Sequence, residues 1–158
     1  MMKRKRESYH PQLYTKDCYY QLIFHESREH PTDTKNNGTI HVIDDEKDIT
    51  AAISFALRRE GYKVHSFTRV SELLNDIEQK CKTDVSLLIT DIRMPELSGF
   101  EVARKFRAMN PGVPIIFITA FEIGISEFNK VFPSLQVNDI LQKPFHLKDL
   151  LEVVKKHI

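Results

Sequence analysis

The sequence lacks the features that usually mark secreted, membrane-bound or nucleic-acid-binding proteins. It has only two cysteines, Cys18 and Cys81, which form no CxxC or metal-ligand pattern, so we expect free thiols in a reducing compartment. No apolar stretch approaches the roughly 18 residues of a membrane span, and no signal-peptide core follows the basic run at residues 3–6. The net charge is only +1, with a balance of +2 in residues 1–38 and −1 in the remainder, and neither value is typical of a nucleic-acid-binding segment. These absences predict a cytoplasmic protein that contacts neither membrane nor nucleic acid directly.

The chain is long enough for one domain and a short extension. A globular chain of 158 residues buries about 70% of its unfolded surface, so a core can form without disulfides or metals. Residues 1–38 are rich in Tyr, His, Lys, Asn and Thr and show no clear period, which predicts a disordered or loosely packed N-terminal extension. An arm that binds a partner or dimerises through the apolar cluster at 18–24 remains the alternative. Residues 39–158 are predicted to form the folded domain.

From Thr39 onward, short apolar runs alternate with amphipathic helical stripes. This alternation is typical of βαβ units and predicts an α/β fold with five parallel strands and five helices, wound on both faces of the sheet. The predicted strands are Thr39–Ile43, Tyr62–Phe67, Val85–Thr90, Ile115–Ile118 and Ile140–Gln142.

Polar residues follow four of these runs, at the point where each run ends. Asp44-Asp45-Glu46 follows the first run and Asp91 follows the third. Thr119-Ala120 and Lys143-Pro144 end the last two. Ligands of open α/β sheets bind outside the carboxyl ends of the strands, so these groups should converge. Crowded carboxylates either share a proton or bind a cation, and a hard oxygen-lined site with room for water suits Mg²⁺.

Each of these residues, taken alone, has an ordinary structural explanation. Asp45 could cap the next helix, and Asp91 could belong to an Asx-turn. Thr119 alone is an ordinary strand residue, and Lys143 alone is an ordinary solvated charge. Their joint occurrence in this order, each after a different apolar run, favours a single functional site instead.

The combined pattern resembles the receiver domain of two-component response regulators over roughly residues 39–158. The acidic pair, the Thr-Ala and Lys-Pro pairs and the loop Asp91-x-x-Met94-Pro95-x-x-x-Gly99 carry the resemblance. It implies a flavodoxin-like (βα)5 sheet with strand order 2-1-3-4-5. It also implies a cis peptide bond between Lys143 and Pro144.

The resemblance assigns chemical roles to the strand-end residues. Asp91 would be the nucleophile and phosphoacceptor, since carboxylates form aspartyl-phosphate intermediates. Mg²⁺ would bind Asp45 and Asp91 directly, Asp44 through water, and the backbone carbonyl of Arg93. Lys143 and Thr119 would contact the phosphoryl oxygens. The implied catalytic set is thus Asp91, Thr119 and Lys143, and the implied metal set is Asp44, Asp45, Asp91 and Arg93.

The implied donor is a phosphohistidine on a histidine kinase or a histidine phosphotransfer protein. Because no residues follow the last helix, we expect a stand-alone regulator whose output is contact with an unidentified protein. The face formed by residues 122–158 is the expected output surface and a candidate homodimer surface. The protein would not be an enzyme beyond Mg²⁺-dependent self-phosphorylation and slow self-dephosphorylation at Asp91.

One position departs from the family pattern. Ile140 stands where typical receivers place an aromatic residue that turns inward on phosphorylation. Either aliphatic repacking replaces that movement, or Phe117 or Phe121 performs it, or the coupling is weak. Phe121 also flanks the water path to Asp91 and is expected to slow loss of the phosphoryl group.

Two other functions compete with the receiver interpretation. An Mg²⁺-dependent phosphatase of the haloacid dehalogenase type would need a second aspartate two residues after Asp91, where Arg93 stands. A receiver-like scaffold that is never phosphorylated is the stronger alternative, because Ile140 breaks the usual switch pattern.

Overall fold

The computed structural model describes residues 37–79 and 84–158, which contain five strands and five helices in strict alternation. The strands are β1 (Thr39–Ile43), β2 (Lys63–Phe67), β3 (Val85–Asp91), β4 (Ile115–Thr119) and β5 (Asp139–Gln142). The helices are α1 (Lys47–Arg59), α2 (Val70–Gln79), α3 (Gly99–Met109), α4 (Ile125–Val131) and α5 (Leu147–His157). The predicted extension at residues 1–38 lies outside the described residues except for Asn37 and Gly38, and it stays a prediction.

The five strands form one parallel sheet in the order β2-β1-β3-β4-β5. The predicted fold class and strand order are therefore confirmed. β3 lies between β1 and β4 and is almost entirely buried, as its continuous apolar sequence predicts for a central parallel strand. β2 is an edge strand, and of its five residues only Val64 is buried.

Helices cover both faces of the sheet, and each face has its own apolar core. On one face, Ile43, Leu88 and Phe117 pack with residues of α2, α3 and α4. On the other face, Val42 and Ile89 pack with residues of α1 and α5. Neighbouring residues of a strand point to opposite faces, so a strand buried on both faces carries a continuous apolar run, as Ile115–Ile118 does in β4.

Local hydrogen bonds fix the end of α1 and the start of α3. After α1, Gly61 has a φ of 88°, where glycine is favoured, and its N–H donates to the Arg58 carbonyl. The N–H of Tyr62 donates to the Leu57 carbonyl, which completes a Schellman motif at the position where the sequence predicts the helix to end. At α3, Ser98 and Glu101 form a capping box that fixes the helix directly after the Asp91 loop.

The helix before β5 is shorter than the sequence predicts. From the sequence we predict a helix over residues 122–132, although Gly124 weakens that prediction, whereas α4 begins at Ile125 and ends at Val131. Gly124 adopts an extended N-cap conformation, and Pro133 follows closely on the last turn. Within residues 37–79 and 84–158, every helix is too short and too polar to cross a bilayer.

Candidate functional site

The register of the sheet aligns the strand ends that carry the predicted site. Ile43 pairs with Thr90, which places Asp44 level with Asp91. Asp91 in turn pairs with Ile118, so Thr119 follows one step further along β4. Thr119 pairs with Gln142, the residue before Lys143. Residues that lie 99 positions apart in the chain therefore meet at one edge of the sheet.

Three aspartates form a compact acidic cluster at this edge. Asp44, Asp45 and Asp91 each offer a carboxylate oxygen, and these oxygens lie within 4.8 Å of one another. Asp44 and Asp91 are buried, whereas Asp45 is exposed and forms the rim. Hydrogen bonds fix the buried pair: the N–H of Glu46 donates to Oδ1 of Asp44 at 2.9 Å, and the N–H of Ile92 donates to Oδ1 of Asp91 at 2.8 Å.

Lys143 reaches from the end of β5 into the acidic cluster. Its Nζ lies 2.8 Å from Oδ2 of Asp44 and 3.6 Å from Oδ2 of Asp91. It also donates to Oε1 of Glu46 at 3.1 Å. The peptide bond between Lys143 and Pro144 is cis, as the resemblance implies. Lys143 is therefore the internal counter-ion of the cluster and not a solvated surface charge.

The cluster shifts the acid–base equilibria of its members. Burial raises the pKa of Asp91, and the neighbouring charge of Asp44 raises it further, against the opposing effects of Lys143 and the Ile92 amide. Burial would lower the pKa of Lys143, but its hydrogen bond to Asp44 and the charges of Asp44, Glu46 and Asp91 outweigh burial and raise that pKa. Lys143 therefore stays charged, while Asp91 is a more basic carboxylate than an exposed one.

Thr119 lies beside the cluster at the end of β4 and is fully buried. Its hydroxyl oxygen accepts a hydrogen bond from the N–H of Phe121 at 3.0 Å, and its carbonyl accepts one from the N–H of Lys143 at 2.7 Å. The Thr119 backbone thereby positions the lysine. Phe121 is 47% exposed, and the guanidinium carbon of Arg93 lies 5.2 Å from its ring centroid.

The loop after Asp91 approaches the strand end so closely that one position requires glycine. A Cβ atom added to Gly99 would overlap the carbonyl oxygen of Asp91. The Gly99 N–H donates to the Ile92 carbonyl at 2.8 Å, which holds the loop in this position. A cavity of about 490 Å³ opens beside the cluster and is lined by Asp45, Ile92, Arg93, Met94, Pro95, Ser98, Phe100 and Phe121.

The structure rules out the helix-capping explanation for Asp45. Asp45 is not the N-cap of α1, because Glu46 holds that position without a side-chain cap bond. Glu46 was not assigned a role in the sequence, although it directly follows the acidic pair. Its contact with Lys143 depends on the strand order, because the lysine at the end of β5 must reach across β4 and β3 to the end of β1. The Arg93 carbonyl stays a predicted ligand.

Ile140 and the two aromatic residues that could replace its switch role differ in how deeply they are buried. Ile140 is partly buried against the apolar core beneath β4 and α4. Phe117 is fully buried there, with its ring centroid 5.6 Å from that of Phe100 and 5.3 Å from that of Phe128. Phe121 lies at the surface, so of the two candidate aromatic switches only Phe121 has room to turn without opening the core.

The five-stranded sheet brings an acidic cluster and a lysine together at its carboxyl edge, as the strand-end residues predict. The chain belongs to the response regulator receiver domain family, whose model matches residues 40–155. The family predicted from the strand-end residues is thereby confirmed.

Curated relatives show the same family. The response regulator protein TmoT of Ectopseudomonas mendocina is 32% identical over 130 residues, which cover 81% of this chain and 55% of TmoT. The response regulator receiver protein CpdR of Brucella abortus is 32% identical over 117 residues, which cover 74% of this chain and 93% of CpdR. The chain thus spans about half the length of relatives such as TmoT and TodT of Pseudomonas putida, where the covered share is 50%.

Solved structures agree with the fold. The chemotaxis protein CheY4 of Vibrio cholerae superposes with a TM-score of 0.68 at 23% identity, over 77% of this chain and 98% of that chain. The response regulator TrrA of Thermotoga maritima, solved in complex with Mg²⁺ and BeF, gives a TM-score of 0.64 at 30% identity, over 77% and 99% of the two chains.

Membership of the family carries several general properties. Receiver domains are signalling modules of two-component systems and not conventional enzymes. They generally bind Mg²⁺ at an acidic pocket, and this chain brings three aspartates together at the carboxyl edge of its sheet. Their partners are in general histidine kinases.

Proposed function

We propose that this protein is a phosphorylation-dependent signalling module that accepts a phosphoryl group on Asp91 and requires Mg²⁺ to do so. The observation that carries the proposal is the meeting of Asp44, Asp45 and Asp91 within 4.8 Å, with the Lys143 ammonium among them. TrrA, which is 30% identical, was solved with Mg²⁺, and this supports the assignment of the cation.

In the proposed reaction, one carboxylate oxygen of Asp91 attacks phosphorus as the bond to the donor nitrogen breaks. The imidazole of the partner's phosphohistidine leaves with the bonding electron pair, and an aspartyl phosphate forms. Phosphoryl transfer mainly requires positioning and charge neutralisation. Mg²⁺, bound by Asp45, Asp91, the Arg93 carbonyl and, through water, Asp44, would offset charge on one side. Lys143 would offset it on another.

Burial of the acids fits this role. The buried Asp91 has a raised pKa because the site is desolvated and Asp44 lies close by, which makes its carboxylate a better nucleophile once a cation favours the ionised form. Thr119 would turn its hydroxyl proton towards a phosphoryl oxygen. In the structure that hydroxyl oxygen accepts from the Phe121 amide at 3.0 Å, and its own proton is the one it would donate to the phosphoryl group.

The same proposal includes the partners of the protein, the limits of its domain and its cellular compartment. The phosphodonor is a histidine kinase or a histidine phosphotransfer protein, and the output is a contact with a protein target through residues 122–158. That face is also the proposed homodimer surface, and direct nucleic-acid binding is not part of the proposal. The receiver unit is residues 39–158, the extension is residues 1–38, and the compartment is the cytoplasm.

The direct test is labelling with a small phosphodonor. The full chain is incubated with acetyl phosphate and Mg²⁺, and intact mass is measured. The parent should gain one phosphoryl group, whereas Asp91→Asn and a parent sample with excess chelator should not. Asp84→Asn is the matched control, because Asp84 is an exposed aspartate just before the opposite end of β3, and it should label like the parent.

One observation favours a second function. Ile140 is packed against the core at the position where the family pattern has a movable aromatic side chain. A receiver-like scaffold that signals without phosphorylation would explain this residue. In the labelling experiment, no phosphoryl gain in a folded parent would reject phosphorylation at Asp91 and support the scaffold.

A further inference from the structure

Two histidines stand side by side in the sheet, away from the acidic cluster. His41 in β1 and His65 in β2 are paired in register, and their ring centroids are 5.2 Å apart with an interplanar angle of 36°. The His41 side chain is only 1% exposed, whereas that of His65 is 26% exposed. The pair therefore runs from the interior of the domain to its surface.

A carboxylate from the helix above completes the group. Asp76 lies on α2, three residues after Leu73 and one before Ile77, both of which face the core. Its Oδ2 lies 3.6 Å from Nε2 of His41 and 4.0 Å from Nδ1 of His65. The Asp76 side chain is 20% exposed. The three residues thus present two imidazole nitrogens and one carboxylate oxygen to a common point.

The spacing is close to that of a metal site. The three potential ligand atoms lie within 4.8 Å of one another. A tetrahedral ion with bonds of about 2.0–2.1 Å separates its ligand atoms by roughly 3.3 Å. The observed separations of 3.6 and 4.0 Å exceed this value, and the third pair lies within 4.8 Å, so metal binding would draw the three side chains together by less than about 1 Å each.

The ligand types select the ion. Imidazole suits zinc and its neighbours among the transition metals, whereas Mg²⁺ prefers an all-oxygen shell. The inner side of the group is apolar, since the Phe67 ring meets His41 edge-on at 5.4 Å. The outer side reaches solvent through His65 and Asp76. A fourth position is therefore open to water, as in zinc sites with three protein ligands.

We propose that His41, His65 and Asp76 form a binding site for a divalent transition-metal ion of the zinc class. This site is separate from the Asp44, Asp45 and Asp91 cluster and goes beyond the proposed phosphorylation. Because its ligands come from β1, β2 and α2, a bound ion would join the edge strand and its covering helix to the centre of the sheet. Zn²⁺ should therefore raise the thermal stability of the domain.

The first test is calorimetric titration of the full chain with Zn²⁺ in excess Mg²⁺, which keeps the acidic cluster occupied. His65→Gln should weaken one zinc site roughly 100-fold or more, because even loss of an outer partner of a ligand weakens metal binding about 10–100-fold. His146→Gln is the matched control, since His146 is an exposed histidine in another part of the domain. Zinc affinity and stoichiometry that are unchanged in His65→Gln would overturn the proposal.

A second test creates a signal instead of removing one. In Asp76→Cys, bound Co²⁺ should give a thiolate-to-cobalt charge-transfer band that the parent lacks. Asn75→Cys places the thiol one residue away at an exposed position on the same helix and should give no such band. A folded Asp76→Cys protein without the band, or a parent in which Zn²⁺ leaves the melting temperature unchanged, would likewise overturn the proposal.

Discussion

Removal of the Lys143 charge is the sharpest single perturbation of the acidic cluster. Lys143→Met keeps most of the aliphatic stem and deletes an ammonium that lies 2.8 Å from Asp44, 3.1 Å from Glu46 and 3.6 Å from Asp91. Asp44 has no solvent exposure, so its carboxylate would lose its cationic partner without gaining water.

The size of the effect follows from these distances and burials. At an effective dielectric constant near 20, opposite charges about 2.8 Å apart attract by roughly 6 kcal/mol before the cost of desolvation. Removing one partner of a buried pair typically costs about 3–5 kcal/mol. The Lys143 side chain retains 16% exposure, which places the pair near the lower end of this range. We therefore expect Lys143→Met to lower the free energy of unfolding by about 3 kcal/mol at neutral pH without Mg²⁺.

Urea unfolding followed by circular dichroism measures this loss. Lys148→Met is the matched control, because the Lys148 side chain is 84% exposed and pairs with Glu152 one turn away. Such a surface pair is worth about 0.3–0.5 kcal/mol. Mg²⁺ should restore part of the stability of Lys143→Met, since the cation replaces the missing positive charge.

A double-mutant cycle identifies the partner. Asp44→Asn should lessen the effect of Lys143→Met, because the buried charge that needs the ammonium is then gone. Additivity within about 0.3–0.5 kcal/mol would show that the two residues are not coupled. That result, or a loss below about 1 kcal/mol in Lys143→Met alone, would refute the counter-ion argument.

Three further outcomes are expected. Phe121→Ala should release phosphate from phosphorylated Asp91 faster than the parent does, measured by intact mass over time, because the ring no longer covers the water path. Gly99→Ala should lower the free energy of unfolding by about 2 kcal/mol or more and slow labelling, since its Cβ overlaps the Asp91 carbonyl. Burial would raise the pKa of Asp139, but hydrogen bonds led by the one from His157 lower it. The ionised Asp139 should therefore stabilise the fold by about 0.5–1 kcal/mol above pH ~4. This contribution should disappear as the pH falls through the lowered pKa.

Each of these outcomes has a control in the same chain. Phe55→Ala removes another exposed ring and should leave phosphate release unchanged; equal rates in the Phe121 and Phe55 variants would exclude shielding. Gly124→Ala adds a Cβ that meets open space, so it should cost far less than Gly99→Ala. For the Asp139 prediction, the stability difference from Asp139→Asn should vanish in acid, and a difference that grows there would contradict the assigned sign.

The sequence predicted the structure best at the strand ends, where one pattern of residues indicates both the fold and the functional site. Apolar runs predict strands, and the polar residues that end them predict the functional edge, because parallel strands must end at the same side of the sheet. The Asp44, Asp91 and Lys143 positions could therefore be read without coordinates. The strand order itself came from the resemblance, since periodicity does not determine which strands are neighbours.

Contacts that depend on strand register and on helix rotation could not be predicted from the sequence. His41 and His65 become neighbours only through the pairing of β1 with β2, and Asp76 joins them only because α2 turns that side of the helix towards the sheet. No local pattern connects residues on three different elements. The start of α4 was also misplaced, because the apolar stripe continues past Gly124 while the backbone there is extended.

The charge balance of the acidic edge gives a reason for the order of events in the proposed phosphorylation. The Lys143 ammonium pairs with Asp44, Glu46 and Asp91, and Asp45 adds a fourth carboxylate to the cluster, so Lys143 alone leaves the ionised cluster strongly negative. An arriving phosphoryl group adds nearly two further negative charges. In the proposed reaction a divalent cation would therefore bind first, because it would favour the ionised form of Asp91 and lower the repulsion of the incoming group. With that cation offsetting the charge of Asp44, the lysine would no longer have to serve as its counter-ion, and the same ammonium would become available to the phosphoryl oxygens.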